Sequence, residues 1–379
     1  MIFFDLFHSI LKAFRFILKK PVVWIAEKVS SAPDKEAVMK ALTELYQESE
    51  KLKSRKLKRL NLKALNGRII IFSDQHRGIR NGSDDFAICE KCYLSALEYY
   101  NERNFYYINL GDCEELWGNT MIEISKHNQE VYFQESLFIQ RDAYSKVFGN
   151  HDLFWDNDPL ASFWLRKIYG KAIRIYTGVL IRIDFINNTF LDIFCTHGHQ
   201  GDRQSDGNIL SKWFVSYVWG PLQNFLKINT NSPSANNNLK TLHNMYMYDW
   251  SAAQKRLLLV TGHTHQPVFN SLTHLERLYL QLEKAQTLND ADALKKIQEE
   301  IPRRKREYDY VNQSFIKMKP SYFNSGCCCF EDGTITGIEI MDGNIRLIKW
   351  SLMNGKPERL IAEEEKLETL LMMLNSQIS

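Results

Sequence analysis

The sequence predicts an α/β domain built on a largely parallel sheet, and three observations lead there. Short apolar runs rich in β-branched and aromatic residues (Arg68 to Phe72, Tyr106 to Leu110, Val147-Phe148) alternate with helix-like stretches from Phe86 to Arg103 and from about Ile122 to Tyr144. Each of these runs ends directly in residues that can bind metal or move protons, the place where a parallel sheet exposes its active loops. The chain has 379 residues, 44% hydrophobic and 25% charged, which is the composition of an ordinary globular protein with a sizeable core.

Taken in order, the chain opens with an apolar stretch, Ile2 to Leu18, interrupted by Asp5, Lys12 and Arg15. No uncharged segment approaches the ~20 residues needed to span a bilayer, and no small-residue cleavage site follows. Phe3, Phe7, Ile10, Phe14 and Ile17 recur at helical spacing, and Pro21 ends the pattern. Two readings of this amphipathic helix stand side by side: it lies in a membrane interface, or it docks on the domain or a second subunit.

Ser31 to Leu62 is expected to form a long charged helix, with Val38, Leu42 and Leu45 as its apolar stripe. Lys51 to Arg59 carries six basic residues in nine, and residues 1–66 hold 14 Lys/Arg against 7 Asp/Glu. The net charge of +3 therefore conceals a basic N-terminal segment and a slightly acidic remainder. Such a run suits a solvated face or acidic lipid headgroups. Nucleic-acid phosphate is the other candidate, but no aromatic interleaving or nucleic-acid module accompanies it.

Residues 1–66 thus read as a basic amphipathic helical extension and 67–350 as the main domain. Further strand-like runs lie at Ala172 to Tyr176, Val179 to Phe185, Thr189 to Cys195 and Leu257 to Thr261. Asp332-Gly333 and Asp342-Gly343 read as hairpin turns. Residues 201–255 are expected to form a lid-like insertion, with Trp213, Phe214, Tyr217 and Trp219 on a helix, and 272–319 a two-helix hairpin. Residues 351–379 are expected to be a helical tail.

Seven cysteines, three of them consecutive at 327–329, exclude a disulfide framework and suit a reducing cytoplasm. Cys89 and Cys92 form a C-x-x-C without a second pair or a redox context, and are expected to be buried thiols.

The chemistry lies in five fragments: Asp74-Gln75-His76, Gly111-Asp112, Gly149-Asn150-His151-Asp152, His197-Gly198-His199 and Gly262-His263-Thr264-His265. Asp74 and His76 are i and i+2, which on an extended backbone share one side, and His263 and His265 repeat the spacing. With Asp112, Asn150 and His197 they make seven N/O donors and no thiolate, too many for one four-coordinate ion. Two ions sharing Asp112 can use them all, and mixed imidazole and carboxylate donors suit Mn, Fe, Zn or Co. Such a pair clamps phosphate and supplies a nucleophile. His151 is then placed to stabilise phosphoryl oxygens or protonate a leaving group.

In this order the fragments, with Asn324-Ser325-Gly326 after them, resemble the calcineurin-like metallophosphoesterase superfamily over about residues 68–270. The resemblance implies a four-layer α/β/β/α sandwich, here with helical insertions and a helical N-terminal extension. It implies one ion held by Asp74, His76, Asp112 and His265 and another by Asp112, Asn150, His197 and His263, with His151 catalytic. His199, Glu115 and Asp152 fall outside the ligand pattern and would face the substrate or support the ligands.

Gly111-Asp112-Cys113-Glu114-Glu115-Leu116-Trp117 is also similar to the Gly-Asp-x-x-Glu-x-Trp of the UDP-2,3-diacylglucosamine hydrolases, as is Gly262 to Pro267 to their last motif. That likeness implies a lipid-linked pyrophosphate substrate, a cytoplasmic enzyme and peripheral contact with the inner face of the membrane, through residues 1–30 and 51–59. The chain departs from that group at His151, where well-studied members carry Arg, and in its two extra segments. The competing readings are a phosphohydrolase of a phosphorylated small molecule, a non-catalytic scaffold, and a nucleic-acid phosphodiesterase. Retention of His151 and all seven donors argues against the scaffold.

Overall fold

The structure, a computed structural model, describes residues 33–51, 54–81, 84–116, 119–157, 160–186, 188–201, 237–288, 290–305 and 318–376. The expected N-terminal amphipathic helix, Trp117 and the aromatic segment around Trp213 lie outside the described residues.

Among the described residues, two seven-stranded sheets face one another. The strands are β1 (Leu57–Lys63), β2 (Arg68–Phe72), β3 (Tyr106–Leu110), β4 (Tyr144–Val147), β5 (Ile175–Tyr176), β6 (Gly178–Asp184), β7 (Phe190–Thr196), β8 (Leu257–Thr261), β9 (Val268–Phe269), β10 (Leu272–Thr273), β11 (Tyr322–Asn324), β12 (Ile335–Met341), β13 (Asn344–Met353) and β14 (Lys356–Lys366). One sheet runs β14-β13-β12-β2-β3-β4-β5, the other β1-β6-β7-β8-β11-β9-β10. β2, β3, β4 and β5 are parallel, as are β7, β8 and β11.

Alternation along β2 shows how the layers form. Ile69 and Ile71 point into the core between the sheets with Val179, Ile181 and Val260. Ile70 and Phe72 point the other way, onto Tyr93 and Leu97 of the helix Glu90–Glu102 and Val131 of the helix Gln129–Gln140. Such a strand reads as an unbroken apolar run because both of its faces are covered. The second sheet is covered in the same way: Leu180, Phe194 and Leu259 pack under the helices Lys35–Gln47 and Asn237–Ala252. The fold is the expected four-layer α/β/β/α sandwich.

Several local expectations are corrected. The helix expected over Ser31 to Leu62 is Lys35–Gln47, capped by Asp34, and the chain then enters β1. There Leu60 and Leu62 turn to the inner core while Arg59, Asn61 and Lys63 are exposed. The last two residues of the basic run, Lys58 and Arg59, therefore lie in an edge strand, where Leu60 and Leu62 alternate with exposed residues. The helix expected over Ile122 to Tyr144 is two, Met121–His127 and Gln129–Gln140, parted at Asn128. Asp342-Gly343 turns β12 into β13 as expected, but Asp332-Gly333 joins strands of different sheets and Asn354-Gly355 makes the second hairpin.

The expected helical tail is instead strand β14 followed by the helix Leu367–Ser376. That helix is no appendage, since Leu367, Leu370, Leu371 and Leu374 close one end of the inter-sheet core. Of the 201–255 insertion, the helix Asn237–Ala252 is described, and it belongs to the outer layer through Met247 and Trp250. The helices His274–Thr287 and Ala291–Arg304 form the expected hairpin around Leu275, Leu278 and Ile301. Cys89 and Cys92 are buried in the apolar layer beneath the helix Glu90–Glu102, as expected of inert thiols.

Truncating Leu370 or Leu374 to Ala should cost roughly 2–4 kcal/mol each in denaturant unfolding. A loss below about 0.5 kcal/mol would mean that the helix Leu367–Ser376 is not part of the core.

Candidate metal centre

The five fragments converge. Asp74 and His76 leave β2, Asp112 leaves β3, and Asn150 and His151 leave β4, all in one sheet. His197 leaves β7 and His263 and His265 leave β8 in the other, so the centre sits where the two sheets' parallel strands end together.

Local backbone conformation does the aiming. Asp74, His76, Asp112, His263 and His265 have φ of 54°, 49°, 51°, 69° and 56°. That is the left-handed region, uncommon for residues with a side chain and strained by about 1–2 kcal/mol each. The extended geometry expected for Asp74 and His76 is thus corrected: tight turns, not strand pleat, bring both side chains inward. The strain is held by cross-loop hydrogen bonds from Asp74 N to Gly111 O (3.0 Å), His76 N to Asp112 O (2.9 Å) and Gly262 N to His197 O (2.9 Å).

Two glycines exist because the loops touch. A Cβ on Gly149 would lie 2.1 Å from Asp112 Oδ1, and one on Gly262 would lie 2.4 Å from Asp74 Oδ2. With hydrogen in place, His151 N donates to Asp112 Oδ1 (2.8 Å) and His263 N to Asp74 Oδ2 (3.0 Å).

The remaining carboxylate oxygens face imidazoles. Asp112 Oδ2 is 3.2 Å from His197 Nε2 and 3.8 Å from His76 Nε2, and Asp74 Oδ1 is 3.3 Å from His265 Nε2. His76 Nε2 and His265 Nε2 stand 3.1 Å apart, and Asn150 Oδ1 is 3.3 Å from His197 Nε2. Two nitrogens bound to one ion at about 2.1 Å each stand roughly 3–3.5 Å apart, so the donor spacing is that of ligands around a cation. Asp112, His197 and His263 form one group close enough to share an ion, and His76, Asp112 and His151 another. Asp112 belongs to both.

The electrostatics call for positive charge. Against the penalty of burial, His197 and His265 hold Asp74 far below the usual carboxylate range. In spite of burial, Asp112 and Asp74 pull His197 up to about 9, and Cys327 and Asp74 do the same to His265. Burial and its histidine neighbours push His263 the other way, well below the ordinary value, so it enters as a neutral donor. Its Nε2 is buried without a hydrogen-bond partner.

Glu115 Oε2 accepts from His151 Nδ1 at 2.7 Å and lies 3.2 Å from His76 Nδ1, joining those two rings. Burial would raise this carboxyl, yet His151 and His76 hold it down at about 2. Asp152 faces the protein instead: it accepts from Cys113 N (2.9 Å) and Gly149 N (2.5 Å) and fixes the turn that carries Asn150. Burial and the Asp112 and Glu114 carboxylates, against Lys146, push it up to about 6. The His199 ring packs between Phe148 and His197.

Residues that the sequence does not single out support the centre from behind. Glu114 accepts from Lys146 Nζ (2.9 Å), Arg77 Nη2 (3.1 Å) and Trp155 Nε1 (2.9 Å), and Arg77 Nη1 donates to Glu135 (3.1 Å). All four charged groups are fully buried and their charges cancel. Cys113, Glu114 and Asp152 also lie within reach of one ion, but Lys146, Arg77 and backbone N–H groups already satisfy the two carboxylates and Cys113 Sγ donates to Asn109 Oδ1 (2.9 Å). A charged residue inside an apolar stretch, as Lys146 is in β4, is the one sequence signal for this network. On the opposite side, Cys329 Sγ lies 3.7 Å from His265 Nδ1.

Two facing sheets with imidazole, carboxylate and amide donors gathered at their strand ends define a metallophosphoesterase sandwich. A family model described as calcineurin-like phosphoesterase matches residues 67–267, more than half of the sequence, and the chain belongs to that family. Among solved structures, vacuolar protein sorting 29 from Cryptosporidium parvum is similar over 80% of this chain and 99% of its own, at 10% identity and a TM-score of 0.31. A single mutant of Vps29 from Entamoeba histolytica is similar over 78% and 99%, at 13% identity and a TM-score of 0.29. No curated protein matches the chain.

Replacing Glu114 by Ala strands Lys146 and Arg77 in the interior and should cost about 3–5 kcal/mol of unfolding free energy. Loss of less than 1 kcal/mol in denaturant melts would show that the network does not hold the loops.

Proposed function

We propose that the chain is a dinuclear metal-dependent phosphohydrolase. The observation that carries this reading is the enclosure of Asp112 by donors from both sheets, with His151 held beside it. Asp74, His76, Asp112 and His265 would hold one divalent ion and Asp112, Asn150, His197 and His263 the other, with Mn first and Fe, Zn or Co as alternatives. The neutral His263 and the 3.1 Å spacing of His76 and His265 fit such ions. When bound, a pair of ions supplies a nucleophile at neutral pH and offsets phosphoryl charge.

The chain's own groups do the rest. Glu115 accepts the Nδ1–H of His151 and so orients the ring, Nε2 then being the atom that acts on substrate. From there it donates to a phosphoryl oxygen as negative charge grows, or delivers a proton to the leaving oxygen. The His151 backbone N–H, bonded to Asp112, keeps the distance between this ring and the shared carboxylate fixed.

A narrower reading takes a lipid-linked pyrophosphate of the UDP-2,3-diacylglucosamine kind as substrate, with peripheral contact at the inner face of the membrane. Its basis is the Gly111-Asp112-Cys113-Glu114-Glu115 segment of the sequence, and His151, where that group carries Arg, departs from it. The basic residues 51–59 support the contact. No helix among the described residues is long and apolar enough to cross a membrane.

Activity should appear with Mn²⁺ on a panel of nitrophenyl mono- and diesters, nucleotide sugars and a UDP-linked acylated sugar, and vanish with chelator. Turnover of the last substrate alone supports the narrower reading, and preference for simple esters removes it. Asp112→Ala should abolish metal-dependent hydrolysis, and substantial residual turnover would count against the two-ion site. His151→Ala should keep the metal and slow turnover ~10²–10⁴-fold; loss of metal would make it a ligand instead.

A further inference from the structure

A histidine that binds metal through one ring nitrogen nearly always donates its other N–H to an outer partner, which fixes the ring's tautomer and direction. Three of the four candidate ligand histidines meet this rule visibly. His76 Nδ1 has Glu115 at 3.2 Å, His197 Nδ1 has the Leu110 carbonyl at 2.9 Å, and His265 Nδ1 has Cys329 Sγ at 3.7 Å. His263 is the exception, with Nε2 fully buried and unpartnered.

The group beside it is another imidazole in the same condition. His243, on the helix Asn237–Ala252, is 1% exposed, and both of its ring nitrogens are buried without a hydrogen bond. Its ring centre lies 5.1 Å from that of His263, with the planes at 62°. At that separation, nitrogens turned toward each other come within ordinary hydrogen-bond reach of about 3 Å. Two neutral imidazoles left unpaired each forfeit about 1–3 kcal/mol, so a shared N–H···N bond relieves both at once.

The placement is built rather than incidental. The next residue, Asn244, donates to Gln266 Oε1 (2.8 Å) and accepts from Thr264 Oγ1 (3.2 Å) and Tyr322 OH (2.8 Å). The helix is thereby pinned to the turn that carries His263 and His265, and His243 is held against His263.

We propose that His243 is the positioning residue for His263, accepting its Nε2–H and thereby fixing the second ion's imidazole ligand. The inference rests on the two-ion reading above. It gives the outer-layer helix a direct hold on one half of the centre. His243 is not a ligand and does not touch the substrate.

The test is Mn²⁺ binding to the full chain, by titration calorimetry with bound metal counted by elemental analysis. Wild type should bind two ions. His243→Leu should weaken one of them ~10–100-fold and leave the other unchanged. His243→Gln, whose side-chain oxygen can accept the same N–H, should recover most of the loss. His243→Phe fills the space without a ring nitrogen and carries the same test if the leucine variant folds poorly. Unchanged affinity for both ions in the Leu and Phe variants overturns the inference and leaves the two-ion reading intact. Equal weakening of both ions without rescue by Gln also overturns it, because that is the signature of lost packing. A wild-type chain that binds fewer than two ions overturns the inference together with the reading beneath it.

Discussion

The centre depends on how closely the loops leaving β3 and β4 approach each other. Asp112 Oδ1 lies 2.1 Å from the point where any side chain on Gly149 would begin. Only a residue without a Cβ leaves room for the His151 N–H to reach that oxygen. The contact orients the carboxylate so that its other oxygen faces His197 and His76. The same device recurs across the sheets, where Gly262 lets the His263 N–H reach Asp74. Asp112 is thus anchored to backbone by one oxygen and presents the other to the imidazoles, while Asp74 accepts the His263 N–H on both oxygens and faces His265 with Oδ1. The left-handed turns at five donor positions are the cost of that arrangement, and the two sheets beneath supply the rigidity that holds them.

Behind the loops, charge is handled by cancellation. Arg77 follows His76 and Glu114 precedes Glu115, so each loop carries one residue forward into the centre and one backward into the interior. The backward pair, with Lys146 and Glu135, forms a neutral buried cluster ringed by tyrosine and tryptophan hydroxyl and N–H groups. Such a cluster contributes little net stability compared with an apolar core, but breaking one member is costly. It therefore acts as a register device: the loops can adopt few arrangements that keep all four charges paired.

Much of this was legible in the residues. Strand-end donors in a fixed order mark the centre, and apolar runs parted by helices mark the layered sheets. What escaped is tertiary. Nothing local tells that Arg59 and Lys63 decorate an edge strand, because LKRLNLK fits either period until Leu60 and Leu62 find the inner core. Nothing local separates Glu114, which is buried on Lys146, from Glu115, which faces His151, although they are neighbours. His243 carries no motif, and its meaning depends on a ring that comes near only after the helix docks. Asp74 and His76 converge as their i, i+2 spacing suggests, but from tight turns beyond the strand and not from its pleat.

The pairing of β2 with β12 has a consequence for how the molecule comes to exist. Ile71 finds its partner at Ile338, so the middle of one sheet waits for a strand made some 270 residues later. Closing so long a segment is a slow entropic step, and low local connectivity slows folding generally. Until β12 arrives, one side of β2 offers an unpaired apolar edge to any passing strand. During synthesis the nascent chain carries Asp74 and His76 beside that unfinished edge until β12 is made.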